Sequence, residues 1–375
     1  MDITQRIEEL KKEIRETPYH KATERHIGLL RARIAKLEDE QFTRTSRAKG
    51  GGGGGFAIKK TGDATIVLVG APSVGKSTLL NALTNARSTV APYAFTTVTV
   101  IPGMMKYKNA YIQILDVPGL IEGASRGKGR GREVLSVVRG SDLLVFITDV
   151  GHEGHFEKME AELTKAGIRV NEDRPKIRIE KKLKGGLEIR KNVAQEIADE
   201  TIRGIASEFG FKNAEITLKE KFTLEKVVDA FAQNRVYVKA IYIVNKTDTS
   251  VLTFADAQVK IDVGKTGVHL KGVRTNFPTF GVSAKTGKGL DELREAIWQT
   301  LGFARVYLTK GGEIDYDGPF IMSDGATLAD VANKIGTEFA TGVKGAKISG
   351  PGAKFPNQEV PLKTIVRDEQ IVTFF

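Results

Sequence analysis

The sequence contains no cysteine in its 375 residues, which excludes disulfide bonds, thiolate metal sites and catalysis by a thiol. It also lacks any apolar run near the length of about 18 residues that a membrane-spanning helix requires, so we expect no membrane segment. The opening stretch, MDITQRIEELKKEIRE, is charged throughout and lacks the apolar core of a signal peptide. We therefore expect a cytoplasmic protein.

Positive charge, by contrast, is abundant: 57 Lys and Arg stand against 46 Asp and Glu, a net charge of +11. The excess is uneven, since residues 174–191 hold eight basic and two acidic side chains, and residues 1–62 hold fourteen and nine. Concentrated basic charge favours polyanions such as RNA, because binding releases counterions. A solvated surface is the alternative for both segments, and for residues 174–191 we favour nucleic-acid binding.

Two helices are predicted before residue 50, because apolar residues recur there at three- and four-residue spacing. These residues are Ile3, Ile7, Leu10 and Ile14 in the first stripe, and Ile27, Leu30, Ile34 and Leu37 in the second. Pro18 separates the stripes, so we expect an antiparallel pair that needs a further surface for stability. The six glycines from Gly50 to Gly55 form either a flexible linker or a close-packed segment.

Strands and helices then alternate, which is typical of a mostly parallel sheet covered on both faces. The predicted strands are residues 65–69, 111–115, 143–148, 240–244 and 279–282. The 91 residues between Asp149 and Ile241 exceed the roughly 30 of a βαβ unit, so an insertion is expected there. Within it, KIRIEKK and GLEIRK flank Gly185 and Gly186 and predict a β-hairpin.

A separate small α+β module is predicted at the C-terminal end. Residues 305–309 and 370–374 read as strands on either side of one helix. That helix has Thr327 as its N-cap, Asp330 in a capping box and Gly336 as its stop. Just before this module Trp298 lies at helical spacing among leucines, which predicts a core residue.

Residues 70–77, GAPSVGKS, match the phosphate-binding pattern G-x-x-x-x-G-K-[ST] between a predicted strand and a predicted helix. Glycines there let backbone N–H groups surround phosphates at a helix N-terminus. We expect Lys76 to reach the β- and γ-phosphates and the Ser77 hydroxyl to bind Mg²⁺. The phosphate-binding residues are predicted to be Ser73, Val74, Gly75, Lys76, Ser77 and Thr78.

The nucleotide base is predicted to lie beside Asn245, Lys246 and Asp248, at the end of strand 240–244, where open α/β sheets bind ligands. A carboxylate accepts hydrogen bonds from guanine N1–H and the 2-amino group, whereas adenine has no donor at N1 and no 2-amino group. The next strand is followed by Ser283, Ala284 and Lys285, whose backbone N–H groups can reach guanine O6. The pattern therefore favours guanine nucleotides, and a P-loop ATPase or kinase is opposed by Asp248.

A nucleotide-sensing switch is predicted from Asp116, Gly119 and Thr97. Asp116 can hold Mg²⁺ through water, the Gly119 N–H can contact a γ-phosphate, and Thr97 is the choice for a second Mg²⁺-bound hydroxyl. We assign Lys76, Thr97 and Gly119 to catalysis and Ser77, Thr97 and Asp116 to the metal. The alternative for FTTVTV is a plain β-strand.

Leu120 follows Gly119, and because leucine cannot orient water we expect slow GTP hydrolysis without an activator.

The segments GAPSVGKST, YAFTTVT, DVPGLIEGASRGKGRG, NKTD and SAK resemble those of Obg-type GTPases. Over essentially the whole chain the sequence resembles the developmentally regulated GTP-binding (DRG) proteins, most specifically in the segments KGGGGGGF and GIRVNEDRPKIRIEKKLKGGL. The resemblance implies a helix-turn-helix element at 1–62, a GTPase domain at 63–151 and 238–302, a module like domain 2 of ribosomal protein S5 at 152–237 and a β-grasp TGS domain at 303–375.

The same resemblance implies a translation GTPase that binds GTP or GDP with Mg²⁺, contacts ribosomes or RNA through residues 174–191, and works with a DRG-family regulatory protein. No DNA or membrane partner is expected. Stimulation by K⁺ is open, because Ser73 stands where some related GTPases carry an asparagine ligand. The rival function is a guanine-nucleotide-gated RNA-binding module in which hydrolysis is negligible.

Overall fold

The computed structural model describes residues 3–47, 61–84, 91–92, 99–117, 131–232, 234–248, 279–310 and 312–375. The glycines from Gly50 to Gly55 lie outside these ranges. The chain divides into two compact units, one formed by residues 1–55 and 163–237 and the other by residues 56–162 and 238–375. None of the helices in the described ranges has the length and apolar character needed to span a membrane.

The elements are numbered along the chain as follows. The helices are α1 (Ile3–Glu16), α2 (Glu24–Arg47), α3 (Lys76–Leu83), α4 (Gly131–Arg139), α5 (His155–Lys165), α6 (Asp199–Glu208), α7 (Leu224–Phe231), α8 (Leu290–Leu301), α9 (Leu328–Ile335) and α10 (Thr337–Gly342). The strands are β1 (Ala64–Gly70), β2 (Ala91–Pro92), β3 (Thr99–Tyr107), β4 (Ala110–Asp116), β5 (Leu143–Asp149), β6 (Ile168–Val170), β7 (Ile177–Lys181), β8 (Leu187–Lys191), β9 (Ala214–Leu218), β10 (Val236–Asn245), β11 (Thr279–Gly281), β12 (Ala304–Lys310), β13 (Glu313–Ile314), β14 (Phe320–Met322), β15 (Ala346–Ser349), β16 (Gln358–Val360) and β17 (Gln370–Phe374).

The larger unit contains the predicted mostly parallel sheet, with strand order β11-β10-β5-β1-β4-β3-β2. Strands β1, β4, β5, β10 and β11 run parallel, while β3 and β2 are antiparallel additions. Apolar residues of α3 and α8 pack on one face, and Phe156 of α5 packs edge-on against Tyr242 on the other. Buried strand interiors with helices on both faces place the loops at the carboxyl ends of β1, β4, β5 and β10 along one edge.

The C-terminal module has a mixed sheet in the order β13-β12-β17-β15-β16, with β14 also paired to β12. The capping box of Thr327 and Asp330 is present and α9 ends at Gly336, as predicted. A second, short helix, α10, follows directly and was not expected.

This module shares an apolar core with the parallel sheet. Phe303 and Ile321 belong to the same buried cluster as the residues of α3 and α8. Trp298 is 4% exposed and meets Phe303 edge-on at 5.4 Å between ring centroids, which confirms its predicted core position. The Lys334 ammonium also pairs with Asp63, just before β1, at 3.2 Å. Folding of the two parts is therefore coupled.

In the smaller unit, both predicted N-terminal helices are present. Ile7 and Leu10 of α1 pack with Leu30 and Ile34 of α2 in one cluster. The opposite side of α2 buries Ile27 and alanines in the core of residues 197–231. The helix pair thus obtains the additional surface that its short length requires.

The predicted hairpin between β7 and β8 is wrong. Both strands pair with β9 instead, β7 antiparallel and β8 parallel, so that β9 lies between them. The reason is burial: Ala214, Ile216 and Leu218 of β9 are fully buried, whereas β7 and β8 carry charge on their outer face. The most apolar strand therefore takes the centre, and the charged strands take the edges.

Glu24 of α2 caps the N-terminus of α6. Its Oε1 accepts hydrogen bonds from the backbone N–H of Ala198 and the hydroxyl of Thr201, each at 3.0 Å. Lys21 donates to its other oxygen at 3.0 Å. Ala198 provides no side-chain cap of its own. Burial alone would raise the pKa of Glu24, but these hydrogen bonds outweigh it and hold the pKa below its ordinary value.

We expect Glu24→Gln to lower the free energy of opening of α6 by about 1–2 kcal/mol at neutral pH, because a neutral amide accepts more weakly than a carboxylate. Since the folded-state pKa of Glu24 is lowered from 4.5, the stabilisation is complete above that pH and is lost as the pH falls through the folded pKa. Hydrogen exchange of residues 199–208 measures it, with Glu8→Gln, which changes an exposed glutamate of α1, as a control of equal charge. Equal losses in the two variants would contradict the capping role.

Candidate functional site

The turn between β1 and α3 has the backbone of a phosphate-binding loop. Ser73 (φ 65°) and Gly75 (φ 93°) both adopt left-handed conformations, which turn successive N–H groups toward one concavity. A Cβ on Gly75 would lie 2.4 Å from the Asn245 side-chain nitrogen, and one on Gly70 would lie 2.4 Å from the carbonyl oxygen of Ile147. Only glycine fits at either position, as the sequence pattern requires.

Lys76 lies folded into this loop. Its ammonium donates to the carbonyl oxygens of Gly70 at 3.0 Å and Ala71 at 2.9 Å, and the residue is 8% exposed. Burial lowers the pKa of Lys76, and the carboxylate of Asp116 opposes this effect. An anionic phosphate in the loop would give this desolvated ammonium a charged partner in direct contact.

Ser77 and Asp116 form the candidate metal site. The Ser77 hydroxyl donates to Asp116 Oδ2 at 2.6 Å, which joins the N-terminus of α3 to the carboxyl end of β4. Asp116 Oδ1 is buried and has no hydrogen-bond partner among the residues that the structure describes. A buried carboxylate oxygen of this kind fits a hard cation such as Mg²⁺. The described residues contain no group of three or more His, Asp or Glu that could hold a metal.

Asn245 connects the phosphate loop to the predicted base loop. Its Nδ2 donates to the carbonyl oxygen of Val74 at 2.9 Å, and its Oδ1 accepts from the backbone N–H of Ala284 at 3.0 Å. The sequence predicted that Asn245 and this N–H contact the nucleotide. In the structure they contact each other, and Asn245 holds the two loops together.

Asp248 is exposed at the carboxyl edge of the sheet, and its Oδ1 accepts a 2.7 Å hydrogen bond from the Ser283 hydroxyl. This bond lowers the pKa of Asp248, so the group is an anionic acceptor at neutral pH. Ser283 Oγ also accepts from the backbone N–H of Thr286 at 3.2 Å, which fixes the direction of the hydroxyl. The Ser283 hydroxyl thereby fixes the position of one oxygen of the Asp248 carboxylate.

Asp149 lies beside the predicted base loop and was not identified from the motifs. It ends β5 beside Asn245, and its Oδ2 pairs with the Lys246 ammonium at 3.2 Å while its Oδ1 contacts His152 Nδ1 at 2.8 Å. Burial would raise the pKa of Asp149, but Lys246 and His152 outweigh it and lower the pKa. The sequence could have indicated Asp149, because it is a carboxylate at the end of a predicted strand, and strand ends of a parallel sheet meet at one edge.

Of the other predicted site residues, some lie within the described residues and some do not. Thr78 lies in the first turn of α3, and Lys285 is exposed in the loop after Ala284. Thr97 and Gly119 lie outside the described residues, as does Leu120.

Comparison with known proteins agrees with this architecture. A model of the family described as 50S ribosome-binding GTPase matches residues 65–182, and a model of the C-terminal region of that domain matches residues 184–303. A TGS domain model matches residues 304–375.

Three relatives resemble this chain over nearly all of its residues. An uncharacterized GTP-binding protein of Methanocaldococcus jannaschii is 43% identical, covering 100% of this chain and 93% of the relative. Developmentally-regulated GTP-binding protein 1 of Xenopus laevis is 39% identical over 98% of this chain and 97% of its own. Ribosome-interacting GTPase 1 of Saccharomyces cerevisiae is 37% identical over 98% of both chains. The chain, which combines a P-loop GTPase domain with a C-terminal TGS domain, therefore belongs to the developmentally regulated GTP-binding protein family.

Proposed function

We propose that this protein is a Mg²⁺-dependent, GTP-hydrolysing switch that acts on ribosomes or their RNA in translation. The observation that carries the proposal is the pairing of two half-sites by Asn245. One half is a glycine-dependent phosphate loop with buried Lys76, and the other is the anionic Asp248 carboxylate held by Ser283. A single ligand with phosphates at one end and a two-donor base at the other matches both halves.

In this proposal each described residue has a defined task. The N–H groups of Ser73 to Thr78 and the Lys76 ammonium bind phosphates, while Ser77 and Asp116 hold Mg²⁺. When bound, Mg²⁺ neutralises phosphate charge. Asp248 accepts the base N1–H and amine, with Ser283 as its orienting donor.

Residues outside the described ranges complete the proposed switch. Thr97 provides the second metal hydroxyl, and the Gly119 N–H contacts the γ-phosphate. Leu120 cannot orient the attacking water, so turnover is slow until a partner or a monovalent cation such as K⁺ completes the site.

The ribosome is the proposed partner for two reasons. A relative that is 37% identical over 98% of this chain is called a ribosome-interacting GTPase. The chain also has a net charge of +11, with eight basic residues in 174–191, and such charge favours a polyanion. A DRG-family regulatory protein is the proposed second partner.

We also propose that the chain is organised as an N-terminal helical element at 1–62, a GTPase domain at 63–151 and 238–302, an inserted module at 152–237 and a TGS domain at 303–375. The compact unit that joins residues 1–55 to 163–237 groups the N-terminal helices with the inserted module.

Release of phosphate from GTP, measured with Mg²⁺ and with EDTA, and with and without ribosomes, tests the proposed activity. We expect slow release that requires Mg²⁺ and rises roughly 10- to 1,000-fold with ribosomes. Negligible release in every condition, together with tight GTP binding, would instead favour the nucleotide-gated RNA-binding module, which Leu120 makes the second candidate.

A further inference from the structure

One face of the sheet β7-β9-β8 is left uncovered in its own unit. Along β7 and β8, Ile177, Ile179, Leu187 and Ile189 turn toward the apolar core. The alternate side chains point the other way, and those of β7 and β8 are exposed. We call this side the open face.

Strand register arranges the open face into rows. Arg178 and Arg190 lie on either side of Thr217, and Glu180 and Glu188 lie on either side of Glu215. The ladder continues one step beyond the strands, where the backbone N–H of Lys219 donates to the carbonyl oxygen of Lys176 at 3.0 Å. Rows of lysine, arginine and glutamate therefore follow one another, and the basic end of the face consists of Lys176, Arg178, Arg190 and Lys219.

We propose that these four residues, the basic quartet, bind the sugar–phosphate backbone of RNA. The proposal rests on the ribosome-directed function above and assigns its RNA contact to a surface. Three strands spaced about 4.8 Å apart make this end about 10 Å wide. This width accommodates successive phosphates of one nucleic-acid strand, since each strand of a duplex carries one charge per about 3.4 Å of its axis.

The quartet differs from the basic stretch of the linear sequence. Several cations of residues 174–191 have other partners: Lys182 pairs with Glu188 and Glu215, Lys191 pairs with Asp199, and Arg174 lies over the Tyr237 ring. Lys219 comes from a separate part of the chain and joins the surface only through β9. The folded surface, not the run of lysines and arginines, defines the contact.

The arginines of the quartet retain the capacity to bind phosphate. Arg178 pairs with Glu180, and Arg190 Nε lies 3.0 Å from Glu215, but each arginine side chain is 65% exposed. Exposed ion pairs contribute only about 0–1 kcal/mol, and a guanidinium has five N–H donors. A phosphate can therefore bind beside the glutamate or replace it.

An RNA fits this surface better than an acidic protein does. The rows of the open face contain only charged and polar side chains and so present none of the aromatic anchors that are enriched in protein interfaces. Phosphate contacts need no such anchor. The glutamate row repels a polyanion, so the RNA strand is expected to cross the end of the sheet and not to run along it.

The test compares the full chain with K176Q/K219Q and with the matched control K184Q/K212Q, which removes the same charge at the opposite end of the sheet. Binding of a labelled 20-nucleotide single-stranded RNA is measured by fluorescence anisotropy across a KCl series. We expect K176Q/K219Q to bind about tenfold more weakly at 0.15 M KCl. The slope of log K against log salt is expected to fall by about 1.4, since each contact to a single strand contributes about 0.7. The control and K176R/K219R should retain wild-type behaviour.

Equal weakening of both glutamine variants would overturn the proposal, because net charge alone would then explain the binding. Polyglutamate provides a second test. If it displaces the RNA from wild type but not from K176Q/K219Q, the quartet binds an acidic protein and the proposal is overturned. The same variants are sedimented with ribosomes. If wild type binds ribosomes and K176Q/K219Q binds equally well, the quartet is refuted while the proposed function stands. If wild type binds RNA through the quartet but does not bind ribosomes, the proposed action on ribosomes is refuted and the quartet stands.

Discussion

Asp248→Asn is expected to weaken binding of both GTP and GDP about a thousandfold. The variant replaces a carboxylate that accepts two guanine donors with an amide, and each hydrogen bond to a charged group contributes about 1.5–3 kcal/mol. Because the base has no part in hydrolysis, both nucleotides should lose affinity equally. Xanthosine nucleotides, whose C2 oxygen accepts from an amide, should bind better than to wild type. Isothermal titration with all three nucleotides measures this.

Asp291→Asn is a suitable control, because Asp291 lies in the first turn of α8, is 93% exposed and pairs with Arg294. Unchanged GTP affinity in Asp248→Asn would refute the assignment of the base site. ATP binding to wild type as strong as GTP binding would refute guanine selectivity altogether.

Lys76→Ala is expected to reduce GTP turnover by about 10²- to 10³-fold, because the variant removes the buried ammonium that faces the phosphate loop. The folded structure should persist, since strands β1 and β4 and helix α3 keep their apolar contacts. Lys76→Met retains the alkyl chain and should lose activity to the same extent. Single-turnover phosphate release at saturating Mg²⁺ measures the loss.

Lys239→Ala provides the comparison for this prediction. Lys239 is half exposed, and its ammonium lies 3.5 Å from Asp324, away from the phosphate loop. Its turnover should equal that of wild type. Wild-type hydrolysis by either Lys76 variant would contradict the role of this residue, whatever the stability of the fold.

The parts of the fold that follow local rules could be predicted from the sequence. The phosphate loop, the parallel strands and the capping box of Thr327 depend on neighbouring residues and on periodicity. Strand β3 was not among the predicted strands, although FTTVTV, whose last two residues begin β3, was considered as one. Pro102 and Gly103 interrupt the apolar pattern that follows. Residues of β3 after Val100 pair with β4 on one side and with no described strand on the other. They therefore form an edge, where proline is tolerated.

Long-range pairing limited the remaining predictions. Nothing local to β7 or β8 indicates that β9, some 25 residues further on, lies between them. In the site, the types and order of Lys76, Asp116 and Asp248 follow from motifs, but the bridge through Asn245 and the pair of Asp149 with Lys246 depend on which strand ends meet. Such contacts are set by tertiary packing.

Sedimentation of the full chain with ribosomes at about 0.15 M salt, with GDP or with a non-hydrolysable GTP analogue, tests the central claim most directly. The account predicts that the protein is retained with the analogue and released with GDP, because the γ-phosphate orders the switch. Equal retention with both nucleotides, or none with either, would contradict a nucleotide switch that acts on the ribosome.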